Sequence, residues 1–268
     1  MKIMLKSSSY LWDPDIYLYE GDIFSVRWYS VLFILGFIIG RFLVVGAYKR
    51  EKKYDTTVDL QMLYMVFGIL IGSRIGHVIF YEPEILSRGI IEVLSFWKGG
   101  LASHGAAIGI ILGIIIFQFN YKLKSTLWIF DKLTVPVTLG GVFIRLGNFI
   151  NSEILGTYTN SNFGVIFENR GEILPRHPAQ LYESFGYLIL FLILRRIYPK
   201  TNHIQGYLLG VFLAGIFSIR FLIEYVKESQ GGFEEIIPFL STGQWLSIPL
   251  IISGLIIILL AKSKKEVV

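Results

Sequence analysis

The sequence predicts an all-α polytopic membrane protein, a bundle of seven transmembrane helices with a small extracytoplasmic cap. Of its 268 residues, 53% are hydrophobic and only 17% are charged. The mean hydropathy of +0.59 lies far outside the range of ordinary soluble domains. The apolar residues occur in runs too long for strands, so helices must satisfy the backbone polar groups inside the bilayer.

Seven apolar segments account for the predicted helices. A helix that crosses about 30 Å of hydrocarbon needs about 17 to 25 mostly apolar residues. No internal repeat or linker divides the chain, so residues 1–268 are predicted to form a single integral membrane domain. The segments are residues 26–47, 58–80, 101–119, 127–150, 181–198, 206–226 and 245–261.

The distribution of lysine and arginine predicts the orientation. The odd-numbered connections and the C-terminal residues are short and basic, whereas the N-terminal residues and the even-numbered connections hold most of the acidic residues. By the positive-inside rule, the N-terminus is outside and the C-terminus is cytoplasmic. The net charge of +5 would therefore face anionic lipid, and we predict no nucleic-acid partner. The basic residues of the first group are Lys49, Arg50, Lys52, Lys53, Lys122, Lys124, Arg195, Arg196, Lys200, Lys262, Lys264 and Lys265.

Three stretches outside the apolar segments have distinct characters. Residues 1–22 lack a continuous apolar core and a small-residue cleavage site, so the first helix is expected to act as an uncleaved insertion signal. Residues 81–100 alternate apolar and charged side chains, which is typical of an amphipathic stretch in the membrane interface. Residues 151–180 are polar and glycine-containing, and they predict the outer cap between helices four and five.

Composition also limits the chemistry and the packing. The chain has no cysteine, which excludes disulfides and covalent catalysis through a cysteine of this chain. Its four histidines lack the paired spacing of a metal site, so neither a metal nor a cofactor is predicted. Many of the 27 glycines recur at four-residue spacing, which favours close approach of neighbouring helices.

Six basic residues lie inside or at the edges of the apolar segments, where a charge costs about 2.5 to 3.5 kcal/mol near the membrane centre. Arg27, Arg41 and Lys132 lie towards segment ends, and we interpret them as pairing or snorkelling side chains. The other three come late in segments that all run outward. Three guanidinium groups are therefore predicted to converge at one depth. They are Arg74, Arg145 and Arg220.

Helical spacing leaves two interpretations open for two of these arginines. Arg220 and Glu224 are four residues apart on one helical face, so they either form a stabilising pair or bind a ligand. Arg74 and His77, three residues apart, are ambiguous in the same way.

The stretch IRLGNFINSEILG, residues 144–156, places the most polar cluster at the end of an apolar segment. Asn148 lies on the same face as Arg145, and Asn151 and Glu153 follow as the chain leaves the membrane. Such polar density raises the insertion free energy and adds little packing, which indicates a functional site. Because guanidinium groups bind phosphate oxygens in a bidentate, charge-assisted manner, the predicted ligand is an outer-leaflet phospholipid.

Other polar residues are predicted at the same level. His104 in GGLASHG is a candidate base near neutral pH, although a lone histidine is more often structural. Tyr29 in RWYSV has a default position in the aromatic belt and is functional only if it faces inward. The stretch RHPAQLYES brings His177, Gln180 and Glu183 to the start of helix five.

These motifs resemble those of the prolipoprotein diacylglyceryl transferase family, bacterial enzymes that begin lipoprotein maturation. Supporting matches are RWYSV, GSRIGHVIFY, GGLASHG, HPAQLYE and IRFLIEYVKE, so the resemblance covers nearly all of the chain. Seven helices with an outside N-terminus also agree with the family. Two departures, Ile144 for a glycine and Ala106 for a second glycine, leave every polar position intact. The strongest match is the family signature formed by Arg145, Gly147, Asn148, Asn151, Glu153 and Gly156.

The resemblance implies an activity and a location. The family transfers the diacylglyceryl group of phosphatidylglycerol to the thiol of the lipobox cysteine in a prolipoprotein signal peptide. This forms a thioether and releases glycerol phosphate. Because the nucleophile arrives with the protein substrate, a catalyst without cysteine is consistent with this chemistry. The implied location is the bacterial cytoplasmic (inner) membrane, with the active site toward the extracytoplasmic face.

The implied chemistry assigns roles to the candidate residues. Arg145 and Arg220 would hold the leaving phosphate and stabilise its charge. A thiol of pKa about 8.5 is mostly protonated at neutral pH, so a base helps, and His104 is the candidate. Tyr29 completes the catalytic set by orienting lipid and arginines. The other predicted lipid-binding residues are Arg74, Asn148, Asn151, Glu153, Gly156, Glu224, Gln180 and Glu183.

Two other classes of function remain as alternatives. A lipid or solute transporter would use the arginines as a phosphate-binding stop, but it predicts polar residues through the full membrane depth. A purely structural membrane scaffold leaves the polar stretch at 144–156 unexplained.

Overall fold

The computed structural model describes residues 10–22, 24–51, 55–123, 125–160, 163–201, 203–228 and 239–266. Residues 1–9 of the N-terminal stretch 1–22 lie outside these ranges. Three of the basic residues that predict the orientation do so as well. They are Lys52, Lys53 and Lys124.

Long helices dominate the described residues, as the sequence predicts. Each of the seven apolar segments forms one, with ends within about five residues of the predicted bounds. The long helices are α1 (Trp28–Arg50), α2 (Asp55–Phe80), α4 (Ser103–Tyr121), α5 (Thr126–Ile150), α6 (Ala179–Thr201), α7 (Tyr207–Ile223) and α8 (Thr242–Glu266). A short helix, α3 (Ile90–Leu94), lies between α2 and α4.

Six of these helices are long and apolar enough to cross a membrane, which makes the chain a multi-pass membrane protein. The exception is α6, which starts with Gln180 and Glu183 and ends with Arg195, Arg196 and Lys200. Its 23 residues could still span the bilayer in length. The count of seven spans and the predicted orientation therefore remain predictions.

The chain divides into two compact units, residues 1–40 with 133–268 and residues 41–132. The first unit contains short strands that the sequence analysis did not predict. Strand β1 (Tyr10–Trp12) pairs in parallel with β4 (Val165–Phe167), and β2 (Tyr17–Glu20) pairs antiparallel with β3 (Ser25–Arg27). The cap predicted from residues 151–180 thus also contains a strand from the N-terminal region, which pairs with β4.

An aromatic contact and a hydrogen bond fasten β1 to the end of α5. The Trp12 indole donates to the Phe149 carbonyl at 3.0 Å, and the two rings lie 4.4 Å apart. Phe149 also packs with the buried Val165 and Phe167 of β4. This small apolar core sits directly beyond the Arg145 turn of α5 and fixes where the chain leaves that helix.

In the second unit, α2 and α4 pack in very close contact along their glycines. A Cβ atom on Gly72 or Gly76 would lie 2.8 Å from a backbone Cα atom of Gly109 or Gly105, respectively. Small residues at four-residue spacing permit this approach in lipid, so the predicted role of these glycines in packing is confirmed.

The connection 81–100 is a compact helical segment in the same unit. It comprises a 3-10 turn (Pro83–Arg88), α3 and a second 3-10 turn (Phe96–Lys98), and Ile90, Ile91 and Trp97 are exposed. The Lys98 ammonium donates to the Glu92 carboxylate at 2.6 Å and lowers the pKa of that group. Exposed apolar side chains beside an ion pair agree with the amphipathic stretch that the sequence predicts.

The basic residues near segment ends have the partners expected of structural side chains. The Arg41 guanidinium donates to both Asp59 oxygens at 2.7 and 3.0 Å. The Lys132 ammonium is fully buried and pairs with Glu51 at 2.5 Å. Arg27 lies over the Tyr17 ring at 5.4 Å. The structural interpretation of Arg27, Arg41 and Lys132 is confirmed.

Candidate active site

The candidate site in the first unit begins where one face of α5 meets one face of α6. The Arg145 guanidinium forms an ion pair with the Glu183 carboxylate, whose side chain is only 1% exposed. One helical turn away, the Tyr187 ring lies against Gly141, where a Cβ atom would come within 3.2 Å of the ring. The Ser184 hydroxyl donates to the Val142 carbonyl at 3.2 Å and fixes the register of the two helices.

Glu153 connects the side chains around Arg145. The Arg145 Nη1 atom donates to Asn148 Oδ1 at 3.0 Å, and the Asn148 amide donates to Glu153 Oε2 at 3.0 Å. The Asn151 amide donates to Glu153 Oε1 at 3.2 Å, and the Gln180 amide donates to the Glu153 carbonyl at 2.5 Å. A continuous hydrogen-bonded network therefore runs from the arginine to the start of α6.

The backbone around Glu153 is strained. Ser152 and Ile154 have φ angles of +52° and +58°, in the left-handed region that non-glycine residues rarely adopt. A β-branched residue such as Ile154 is especially disfavoured there, and the strain persists because the surrounding contacts hold the turn. The Glu153 amide donates to the Asn148 carbonyl at 2.9 Å and is one of those contacts. The turn thus directs Glu153 back toward α5.

Tyr29 faces inward, which is the condition that the sequence analysis set for a functional role. A Cβ atom on Gly147 would lie 2.7 Å from the Tyr29 ring, so this glycine of the signature makes room for the tyrosine. The hydroxyl of Tyr29 lies within electrostatic range of Glu153 and Arg145. Tyr29 therefore belongs to the group of polar side chains around Arg145 and is more than an interfacial anchor. We call this group the Arg145 cluster; its other members are Asn148, Asn151, Glu153, Gln180 and Glu183.

Gly156 lies where three backbone segments meet. A Cβ atom at this position would lie 2.7 Å from both the His177 Cβ atom and the Val226 carbonyl oxygen. The Arg176 guanidinium donates to the Gly156 carbonyl at 3.0 Å and pairs with Glu172 at 2.8 Å. Burial on its own would lower the pKa of Arg176, but the hydrogen bond and charge of Glu172 raise it. Only glycine fits this junction, which locks the cap above the site.

Among the described residues, Arg220 has no counter-ion of the kind that Glu183 provides for Arg145. Within the described parts of the chain, no carboxylate pairs with its guanidinium, and its buried Nε atom has no hydrogen-bond partner. Glu224, the alternative partner, instead lies 3.5 Å from the Lys227 ammonium and packs against Gly243. The stabilising Arg220–Glu224 pair that the spacing allowed is therefore not formed.

Tyr187 links the two arginines and was missed by the sequence analysis. Its side chain is 3% exposed, and Arg145, Glu183 and Arg220 all lie within electrostatic range of its hydroxyl. A tyrosine in an apolar helix is usually a core residue. The available signal was its position four residues after Glu183, which places both on one helical face.

Arg74 and His104 belong to the second unit, so convergence of all three arginines remains a prediction. Arg74 is 4% exposed and donates to the carbonyls of Glu92, Val93 and Gly99 at 2.9 to 3.2 Å. These bonds support an anchoring role in the segment 81–100. The His104 imidazole is exposed and lies 5.0 Å from the Phe80 ring and 6.0 Å from the Tyr81 ring. Its role as a base also remains a prediction.

Residues 17–260 match the sequence profile of the prolipoprotein diacylglyceryl transferases. The chain belongs to the prolipoprotein diacylglyceryl transferase family. This confirms the family resemblance and makes the protein a transferase. Membership of a transferase family disfavours the transporter and scaffold alternatives.

Individual members of the prolipoprotein diacylglyceryl transferase family are similar over nearly the whole chain. The phosphatidylglycerol–prolipoprotein diacylglyceryl transferase of Tolumonas auensis is 40% identical over 255 residues, which cover 95% of this chain and 98% of the relative. The enzyme of the same name from Chloroherpeton thalassium is 40% identical, with 95% of each chain covered. That of Chlamydia trachomatis is 39% identical, with 90% of this chain and 93% of the relative covered.

Proposed function

We propose that this protein transfers the diacylglyceryl group of phosphatidylglycerol to the thiol of the lipobox cysteine of a prolipoprotein. The reaction forms a thioether, releases glycerol phosphate and is the first step of bacterial lipoprotein maturation. We further propose that it occurs in the cytoplasmic membrane, with the site toward the extracytoplasmic face. Family membership and the names of the relatives support the two substrates.

The observation that carries this proposal is that Arg145 and Arg220 differ in their ion-pair partners. Glu183 compensates the charge of Arg145, whereas Arg220 has no carboxylate partner in the described residues. One uncompensated guanidinium beside a pre-positioned second one suits a phosphodiester, which carries a single negative charge. Water exclusion by the apolar helices would strengthen this interaction.

The proposed chemistry is a displacement at carbon. The cysteine sulfur attacks the phosphate-bearing carbon of the diacylated glycerol, and the C–S bond forms while the bond from that carbon to the phosphate oxygen breaks. The electron pair of the C–O bond remains on the phosphate oxygen, where Arg220 and Arg145 stabilise the additional charge. The thiol proton passes to a base, for which His104 is our candidate. Tyr29 and Asn148 hold Arg145 and the lipid in place.

Purified protein incubated with phosphatidylglycerol and a lipobox peptide tests the proposal. We expect the peptide to gain the mass of a diacylglyceryl group, with one glycerol phosphate released for each adduct. A peptide with serine in place of the lipobox cysteine is the negative control. The proposal is wrong if no adduct forms while the Tolumonas auensis relative, assayed in parallel, modifies the same peptide.

A further inference from the structure

Four aromatic rings lie in a row where α2 ends and α4 begins, in the second unit. The His77 imidazole stacks on the Tyr81 ring, with centroids 5.6 Å apart and planes inclined by 24°. The Tyr81 ring lies 6.0 Å from the His104 imidazole, and the Phe80 ring meets that imidazole edge-to-face at 5.0 Å. These spacings fall within the range in which aromatic pairs attract one another. His104 is therefore contacted by two rings from the end of α2.

The other end of this row is fixed by the contacts of His77, whose side chain is 17% exposed. Its Nε2 atom lies 3.2 Å from a carboxylate oxygen of Glu82, an ion pair by distance without the angle of a hydrogen bond. The backbone amides of Tyr81 and Glu82 both donate to the His77 carbonyl, at 2.9 and 3.3 Å. A Cβ atom on Gly100 would lie 2.5 Å from the His77 ring, so glycine makes room for it. His77 thus provides a fixed surface for the Tyr81 ring.

Contacts of this kind suit a base because they do not occupy its nitrogen atoms. Among the described residues, neither nitrogen of His104 has a hydrogen bond or an ion pair. An imidazole that accepts a proton needs one nitrogen with its lone pair available. A carboxylate or a backbone carbonyl commonly orients such a ring by accepting a hydrogen bond from the other nitrogen. At His104, the aromatic surfaces of Phe80 and Tyr81 restrict the rotation of the side chain instead.

We propose that His77 and Tyr81 are positioning residues that, together with Phe80, hold the His104 imidazole in the orientation in which it accepts the thiol proton. This rests on the proposed function for the role of His104 as the base. Tyr81 acts on His104 directly, and His77 acts through Tyr81. Without these contacts, the His104 side chain would divide its time among several rotamers, of which only a fraction is productive.

The motion of the His104 ring, measured by NMR on the full-length protein in detergent, tests the proposal without any substrate. The chain has four histidines, so each signal of ¹³C-labelled histidine can be assigned by single substitution. We expect the order parameter of the His104 ring to fall from about 0.85 to below about 0.6 in Tyr81→Leu, and to fall partway in His77→Leu. The exposed His203 is the internal reference. Unchanged order of His104 in either variant would overturn the proposal.

Turnover in the peptide assay separates positioning from a merely structural role. We expect Tyr81→Leu to lower kcat about tenfold and to leave KM for phosphatidylglycerol within about twofold, because Arg145 and Arg220 are the proposed ligands of the lipid phosphate. Tyr81→Phe keeps the ring and should retain nearly the wild-type kcat. Tyr121→Leu, at the other end of α4, is the matched control and should leave both parameters unchanged. Equal decreases in Tyr81→Leu and Tyr81→Phe, or a raised KM with unchanged kcat, would overturn the proposal.

The ring-order measurement contains neither lipid nor peptide and is therefore independent of the transfer reaction. Loss of His104 order in both variants, without any adduct from the wild-type protein, would remove the proposed function and leave the orienting role of His77 and Tyr81 standing. Adduct formation with unchanged ring order would do the reverse.

Discussion

Two regions of this protein bury arginine side chains near the ends of apolar helices and use them differently. The Arg74 guanidinium, on α2, donates hydrogen bonds to backbone carbonyls of a single connection, the segment 81–100. In the Arg145 cluster, the guanidinium groups meet carboxylates, amides and a tyrosine, and part of their hydrogen-bonding capacity is left for a ligand. Both positions look equally improbable in the sequence, since a charge in a membrane segment is costly in either place.

The difference teaches that the partners of a buried arginine indicate its role better than its depth does. A guanidinium saturated by neutral carbonyls is held in one place and holds one segment. A guanidinium paired with a carboxylate is positioned, and one without a counter-ion is available to an anion. Each class responds differently to removal, so mutagenesis separates them.

The largest effect is expected for Arg145→Ala. Transfer should fall below detection, and the free energy of unfolding should decrease by about 3 to 5 kcal/mol because Glu183 is left as an unpaired buried charge. The double variant with Glu183→Ala should recover most of the stability and none of the activity. Thermal unfolding in detergent and the peptide assay measure the two quantities. An Arg145→Ala protein as stable as wild type would contradict the role of Arg145 as the buried counter-ion of Glu183.

Arg220→Ala should lose activity without losing stability. We expect transfer to fall at least 10²- to 10³-fold, as for removal of one donor that stabilises a developing charge. Unfolding should be unaffected, since no buried carboxylate of the described chain loses its partner. Arg196→Ala, exposed on α6, is the control. Matching losses of stability and activity would mean that Arg220 is structural, like Arg74.

His104→Ala examines the candidate base. Removing a general base typically reduces the rate about 10²- to 10⁴-fold, and an exposed imidazole contributes little to folding. His203→Ala, also exposed, should keep the wild-type rate. Near-normal transfer by His104→Ala in the peptide assay would remove it from the mechanism.

Arg74→Ala should loosen the segment 81–100 and spare most of the chemistry. We expect faster hydrogen exchange of residues 90–100, whose carbonyls lose their donor, and a decrease in transfer of no more than about tenfold. Arg88→Ala, exposed within the same segment, serves as the reference. Loss of transfer with unchanged exchange would place Arg74 with the ligand-binding arginines instead.

The smallest effect is expected for Tyr187→Phe, which keeps the ring against Gly141 and removes the hydroxyl that lies within electrostatic range of Arg145, Glu183 and Arg220. Loss of one polar contact to these charged groups corresponds to about a 2- to 10-fold decrease in kcat/KM. The unfolding midpoint should stay near that of wild type. Tyr198→Phe on the same helix controls for hydroxyl loss elsewhere. A wild-type kcat/KM in Tyr187→Phe would show that the Tyr187 hydroxyl does not contribute to the function of Arg145.

Much of this arrangement could be predicted from the sequence because its signals are local. The apolar runs set the long helices, and the four-residue spacing of Gly72 and Gly76 indicated close packing. The stretch 144–156 identified most of the Arg145 cluster, since the cost of burying Arg145 beside Asn148 requires compensation.

What the sequence could not supply depends on contacts between distant residues. The pairing of β1 with β4 joins three-residue strands that lack a periodicity long enough to detect. The hydrogen bonds of the Arg74 guanidinium go to carbonyls of a connection 18 to 26 residues further along the chain. The different pairing of Arg145 and Arg220 depends on which of them Glu183 reaches. Helical spacing allowed a pair of Arg220 with Glu224, and that pair does not form.

The pairing of β1 with β4 has a consequence for biogenesis. Trp12 donates to a carbonyl 137 residues further along the chain, and its strand partner lies beyond that. During synthesis, residues 10–12 must therefore remain without their partners until α1, α2, α4 and α5 have been made. Closing so large a loop is slow compared with forming a helix. The pairing that covers the end of α5 thus forms only after four of the seven long helices have been synthesised.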